Sequence, residues 1–164
     1  MNIILIGMPG CGKSTVGVVL AKSLGLDFID SDLVIQKQMG AKLSQLLDQH
    51  GDAGFRSIEN RINASLQAED SVIATGGSVI YGEDAMRHLK DIGTVVYLKL
   101  SYEAIEDRLG DLHARGVTIK PGWTLRDLYN ERCPMYEQWA DVVVDCERMK
   151  MREVVDAILR QMQE

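Results

Sequence analysis

Short apolar runs alternate with amphipathic stretches along the whole chain. Ile3-Ile4-Leu5-Ile6, Leu26-Asp27-Phe28-Ile29, Val72-Ile73-Ala74, Thr94 to Leu100 and Asp141-Val142-Val143-Val144 read as strands. Between them the spacing predicts helices. The first runs over Lys13–Gly25 and is closed by its glycine; another covers Leu33–Met39 and stops at Gly40. Leu43–Gln49, Phe55–Ala68, Asp84–Lys90 and Met149–Met162 are further helices, and Ser101 caps one that begins near Tyr102. Thr124-Leu125-Arg126-Asp127 has the form of a capping box opening a helix that runs to about Trp139. Gly110 to Gly122 is polar, contains glycine and lacks periodicity, which predicts a mobile segment. Alternating strands and helices imply a parallel sheet with helices on both faces. In such a sheet, ligands gather beyond the carboxyl ends of the strands.

The loop after the first strand carries the clearest chemistry. Residues 7–14 read Gly-Met-Pro-Gly-Cys-Gly-Lys-Ser, the phosphate-binding loop G-x-x-x-x-G-K-S/T, set between a strand and a helix as the motif requires. Its glycines let the backbone turn tightly and point N–H groups at an anion, and the helix adds its positive end. Lys13 is placed to reach β- and γ-phosphates, and Ser14 to ligate Mg²⁺.

A nucleotide loop alone leaves the second substrate open. Asp30 and Asp32 lie one residue apart at a strand end, where alternation points both side chains roughly the same way. One could help hold Mg²⁺ and the other orient an attacking hydroxyl or accept its proton. The same residues suit a turn and helix cap. Arg56 and Glu59 are three apart on one helical face, so Glu59 could hold Arg56 ready for a substrate carboxylate. Thr75-Gly76-Gly77 follows a strand with no bulk, so a γ-phosphate or a hydroxyl can approach its backbone. Arg108, Arg115 and Arg132 straddle the aperiodic segment, as arginines that close over a phosphoryl group do.

Composition narrows the partners. The chain has 164 residues, 46% hydrophobic and 26% charged, enough for one core. A net charge of -6 without a basic stripe argues against nucleic acid. No segment approaches the ~20 apolar residues of a membrane span. Three cysteines without metal-type spacing read as reduced thiols, and the expected location is the cytoplasm.

Taken together, these motifs resemble the shikimate kinase family, small P-loop enzymes akin to nucleoside monophosphate kinases, over essentially the full length. The resemblance rests on Gly-Met-Pro-Gly-Cys-Gly-Lys-Ser-Thr at 7–15, Phe28-Ile29-Asp30-Ser31-Asp32, Phe55-Arg56-Ser57-Ile58-Glu59, Ile73-Ala74-Thr75-Gly76-Gly77 and Glu131-Arg132-Cys133-Pro134-Met135-Tyr136. It implies one three-layer α/β/α domain over 1–164 with a central parallel five-stranded sheet. A mobile lid would lie at about 110–123, and a substrate-binding helical region at about 31–62. It implies an ATP-dependent, Mg²⁺-requiring kinase that phosphorylates a shikimate hydroxyl for aromatic amino-acid biosynthesis, as a monomer.

By resemblance, Gly10, Cys11, Gly12, Lys13, Ser14, Thr15 and Arg108 hold the nucleotide, Arg108 by stacking on adenine. Ser14 and Asp30 hold the metal. Asp32, Arg56, Gly76, Gly77 and Arg132 hold the acceptor, the two arginines by its carboxylate. Lys13, Asp32 and Arg115 are the catalytic groups. Ser78 stands where the family usually has a third glycine, and Arg115-Gly116-Val117-Thr118 replaces its Arg-Pro-Leu-Leu lid. Those departures leave another small hydroxy acid or polyol, such as gluconate, as the alternative acceptor. A nucleotide-binding module without catalysis is the third reading, in which Asp32 and the arginines have no task.

Overall fold

The computed structural model describes residues 1–109 and 117–163. The expected lid residues 110–116, Arg115 among them, lie outside the described residues. Five strands form one parallel sheet: β1 (Asn2–Ile6), β2 (Asp27–Asp30), β3 (Ser71–Ala74), β4 (Thr94–Lys99) and β5 (Val142–Asp145), in the order β2-β3-β1-β4-β5. The central strand β1 pairs Ile4 with Ile73 on one side and with Val95 on the other. All of β1 is buried, which is why it reads as an unbroken apolar run rather than an alternating one.

Helices α1 (Lys13–Leu24), α2 (Ser31–Met39), α3 (Leu43–Ala64), α4 (Glu83–Ile92), α5 (Tyr102–Arg108), α6 (Leu125–Trp139) and α7 (Met151–Met162) connect and flank the strands. Several ends are set by local chemistry visible in the sequence. Gly25 and Gly40 close α1 and α2 in the left-handed conformation. The Thr124 hydroxyl accepts from Asp127 N, while Asp127 accepts from Thr124 N, completing the expected box. Ser101 caps α5 through Ala104 N.

Two expectations change. The stretches 43–49 and 55–68 are one helix, α3, kinked at Gly51 with φ 69° and ψ 178°, and it ends at Ala64. The glycine supplies the bend that looked like a break. Asp32 belongs to a helix and not to a strand end, so alternation does not govern where it points. Asp30 is the N-cap of α2, its carboxylate accepting from Asp32 N at 3.0 Å, and Asp32 sits in the first helical turn.

Side chains from both faces of the sheet make the main core, into which Val16, Leu20, Met86, Leu89, Val155 and Ile158 pack. A separate apolar cluster of Ile35, Leu46, Phe55, Ile58 and Ile62 stitches α2 to α3. It gives α2 and α3 a core of their own beside the sheet. Among the described residues, no helix is long and apolar enough to cross a membrane.

Candidate functional site

The loops that follow β1 and β3 and the first turn of α2, which follows β2 directly, all open at the carboxyl ends of the strands on one cavity of about 380 Å³. Gly10, Gly12, Lys13, Ser14, Thr15, Asp32, Gly76, Gly77, Arg108 and Arg132 line it. Among the described residues, most of the site expected from sequence therefore converges. Cys11 instead lines an adjoining cavity of about 210 Å³, with Gly12, Thr15 and Arg108 shared between the two.

The phosphate side is built by backbone. Gly12 adopts φ 94° as the N-cap residue of α1, a conformation that side chains resist. The loop thus turns so that α1 presents its N-terminal N–H groups. Lys13 is buried, and its ammonium donates to Gly7 O at 2.8 Å and to Met8 O at 3.0 Å. It is folded across the loop that it would serve. The Ser14 hydroxyl donates to Asp30 Oδ2 at 3.2 Å, so a hydroxyl and a carboxylate stand side by side. Hard oxygen donors of that kind suit a divalent cation that keeps most of its waters. Arg108 reaches Gly10 O at 3.4 Å.

The opposite wall carries two carboxyl groups, Asp32 and Glu59. Asp32 makes no hydrogen bond through its carboxylate among the described residues. Burial, and then the charge of Asp30, push its pKa up to about 6 against the pull of Lys13. Glu59 is 2% exposed and accepts the Ser78 hydroxyl at 2.5 Å. Burial and the Asp32 charge raise it to about 7. The glycine pair is required here by space. A Cβ on Gly76 would stand 2.6 Å from Asp32 Oδ1 and 2.8 Å from Glu59 Oε2. One on Gly77 would stand 2.7 Å from Pro9 Cδ.

Arg132 lies within the protein, 1% exposed, its Nη2 donating to Thr118 O at 2.8 Å and Thr118 Oγ1 at 3.1 Å. One turn later on α6, the Tyr136 hydroxyl donates to Gly77 O at 2.6 Å, and its ring stacks on Tyr97 of β4 at 5.1 Å. These contacts seat α6 against the glycine turn and bring Arg132 to the cavity. Tyr136 stands in the Glu131–Tyr136 motif and Thr118 in the segment that departs from the family's lid, but neither has a role legible in the sequence. Their partners are far away in the chain, and no local pattern marks such contacts.

The expected Arg56–Glu59 pair does not form. Glu59 takes the Ser78 hydroxyl, and the Arg56 guanidinium lies over the Tyr81 ring, 3.9 Å from its centroid. Helical spacing brought the two residues to one face, but a buried hydroxyl offered Glu59 a partner already in place. Ser78 is thus turned toward Glu59 within the wall.

Both raised carboxyls bind protons more tightly in the folded chain than in the unfolded one. The resulting cost is absent below about pH 4, where both states are protonated. It grows as pH rises toward 7 and remains above that. Glu59→Gln, which keeps an acceptor for Ser78, should remove a pH dependence of up to about 3 kcal/mol between pH 5 and 8. Thermal unfolding of both proteins at those two pH values measures it. Equal pH dependence in the two would show that Glu59 is not strained.

A parallel sheet with a phosphate loop after its central strand, and carboxyl groups lining the same cavity as that loop, defines a P-loop small-molecule kinase. Comparison with known proteins is specific within that class. The family model "Shikimate kinase" matches residues 9–163. The shikimate kinase of Chromohalobacter salexigens is 41% identical, covering 97% of this chain and 90% of the relative. The crystal structure of shikimate kinase from Aquifex aeolicus superposes with TM-score 0.86 at 34% identity, covering 99% of this chain and 96% of that one. Shikimate kinase from Acinetobacter baumannii, solved in complex with shikimate, superposes with TM-score 0.84 at 31% identity, covering 99% and 92%. The chain belongs to the shikimate kinase family.

Proposed function

We propose that this protein transfers the γ-phosphoryl group of ATP to a hydroxyl of shikimate, giving shikimate 3-phosphate and ADP. The observation that carries the reading is one cavity lined by a phosphate loop, a carboxylate with no hydrogen-bond partner among the described residues, and a buried arginine. Phosphoryl transfer asks mainly for alignment and charge neutralisation, and these groups supply both. The acceptor oxygen bonds to phosphorus as the bond to the bridging oxygen of ADP breaks. Asp32 orients the hydroxyl and takes its proton. Lys13 leaves its two loop carbonyls to meet the phosphates, while Gly10, Gly12, Ser14 and Thr15 cradle them, with Cys11 and Arg108 on the adenine side. Arg132 and Arg56 grip the acceptor carboxylate beside the Gly76-Gly77 backbone.

Ser14 and Asp30 would hold Mg²⁺, their adjacent oxygens fitting a hard cation. When bound, the ion neutralises charge on the phosphates. Arg115 and a lid over 110–123 would complete the enclosure and exclude water. A single domain over 1–164, with acceptor-binding helices at 31–62, acting as a monomer in the cytoplasm, fits this assignment.

The test is ADP release from MgATP by the purified protein, with and without shikimate. Strong stimulation, with a product heavier by one phosphoryl group, is expected. Nucleotide binding without stimulation would reject shikimate and direct the search to other small hydroxy acids, gluconate included.

A further inference from the structure

Tyr81 ends a 3₁₀ turn (Val79–Tyr81) that follows the glycine pair. It touches both arginines of the acid-binding side. The guanidinium carbon of Arg56 lies 3.9 Å from its ring centroid, and that of Arg132 lies 5.4 Å away. The arginines come from different helices, α3 and α6, and two like charges at one ring repel. The negative face of an aromatic ring offsets that repulsion without taking up a hydrogen-bond donor. Donors do remain. Arg56 Nε and Arg132 Nε are both buried and have no hydrogen-bond partner among the described residues. Two planar guanidiniums with unsatisfied donors suit a carboxylate that can accept from each.

The ring is itself held. Its hydroxyl donates to Glu131 Oε2 at 2.5 Å, and Glu131 Oε1 accepts from Lys120 Nζ at 3.3 Å. Lys120 in turn lies 4.4 Å over the Trp123 ring. Burial and the Glu131 bond push the Tyr81 pKa up, so its hydroxyl stays a donor. The bond to Tyr81 leads the causes that hold Glu131 below its usual range, so Glu131 stays an acceptor.

We propose that Tyr81 is a positioning residue: its ring sets the placement of Arg56 and Arg132 for the acceptor's carboxylate. Glu131 and Lys120 tie that ring to the segment 117–123. The inference rests on the reading of a carboxylate-bearing acceptor given above.

Two variants separate face from hydroxyl. Tyr81→Leu removes both; Tyr81→Phe keeps the face. In Tyr81→Leu the KM for shikimate should rise about tenfold while the KM for ATP stays within about twofold, the scale expected on removing a desolvated cation–π interaction. Tyr81→Phe should restore most of the acceptor KM. An unchanged acceptor KM in Tyr81→Leu overturns the proposal, and so does a Phe variant as impaired as the Leu variant. Stimulation of the unsubstituted enzyme by shikimate judges the acceptor reading separately. The ring can also be read without turnover. In a ¹⁵N–¹H spectrum its ring current should shift the Arg56 Nε–H signal upfield in the wild-type and Phe proteins but not in Tyr81→Leu. No such shift in the wild-type protein overturns the proposal whatever the acceptor is. Should Tyr81→Leu fail to fold, the Phe variant and the wild-type spectrum still decide.

Discussion

Asp32→Asn should lower kcat by about a hundred- to ten-thousand-fold while the KM for ATP stays within about twofold. The amide keeps the shape of the side chain but cannot accept the proton of the attacking hydroxyl. Structural damage would be a poor explanation for the loss. The cap of α2 is the side chain of Asp30, and the Asp32 carboxylate bonds to none of the described residues. Its interactions are electrostatic: burial and Asp30 raise its pKa to about 6, and Lys13 lowers it. A group of that pKa is mostly ionised at neutral pH yet basic enough to accept a proton in the transition state. The acid limb of the pH profile of kcat/KM for the acceptor, which reports the free enzyme, should therefore fall near pH 6 in the wild type. Removing the Asp32 charge also relieves Glu59, whose titration should move down. Steady-state kinetics over pH 5–9, with the melting temperature as control, check all of this. Near wild-type turnover by Asp32→Asn would take Asp32 out of the mechanism.

How much of the molecule is legible in its sequence depends on the range of the interactions involved. The nucleotide loop, the glycine caps at Gly25 and Gly40 and the Thr124–Asp127 box are contiguous, and each reads from the sequence with nearly the right bounds. The parallel sheet is implied by the alternation of strands and helices. The order of its strands is not, because β1 meets β3 and β4 through pairings that no local pattern encodes. Asp30 and Asp32 stand out as a pair, but their division of labour does not. It depends on the chain entering α2 between them, so that one carboxylate caps and the other faces the cavity. Arg56 and Glu59 show the limit of helical spacing. That spacing predicts neighbours but is blind to Ser78 and Tyr81, which come from the turn after β3 and give Glu59 and Arg56 their closer partners. Thr118, Tyr136 and Tyr81 act through contacts fourteen or more residues distant, two of them to backbone carbonyls that no side-chain motif can mark.

Arg132→Ala should give the largest effect on the acceptor. Truncating one partner of a buried, hydrogen-bonded charge pair typically costs about 2–5 kcal/mol. That corresponds to about a thirty- to several-thousand-fold rise in the KM for shikimate. Because Arg132 also satisfies Thr118 O and Thr118 Oγ1, and its charge steadies the buried Glu59, the protein should melt lower as well. Arg132→Lys separates the two roles. An ammonium keeps the charge that Glu59 feels, so much of the stability should return. It is a point donor, however, and cannot hold Thr118 while presenting a planar pair of N–H groups to a carboxylate. Acceptor affinity should therefore recover far less than melting temperature. The KM for ATP should stay near the wild-type value in both variants, since the phosphate loop is built from its own backbone. If Arg132→Ala saturates normally with shikimate and merely melts lower, Arg132 is a structural pin for Thr118, and the acceptor's carboxylate is gripped elsewhere.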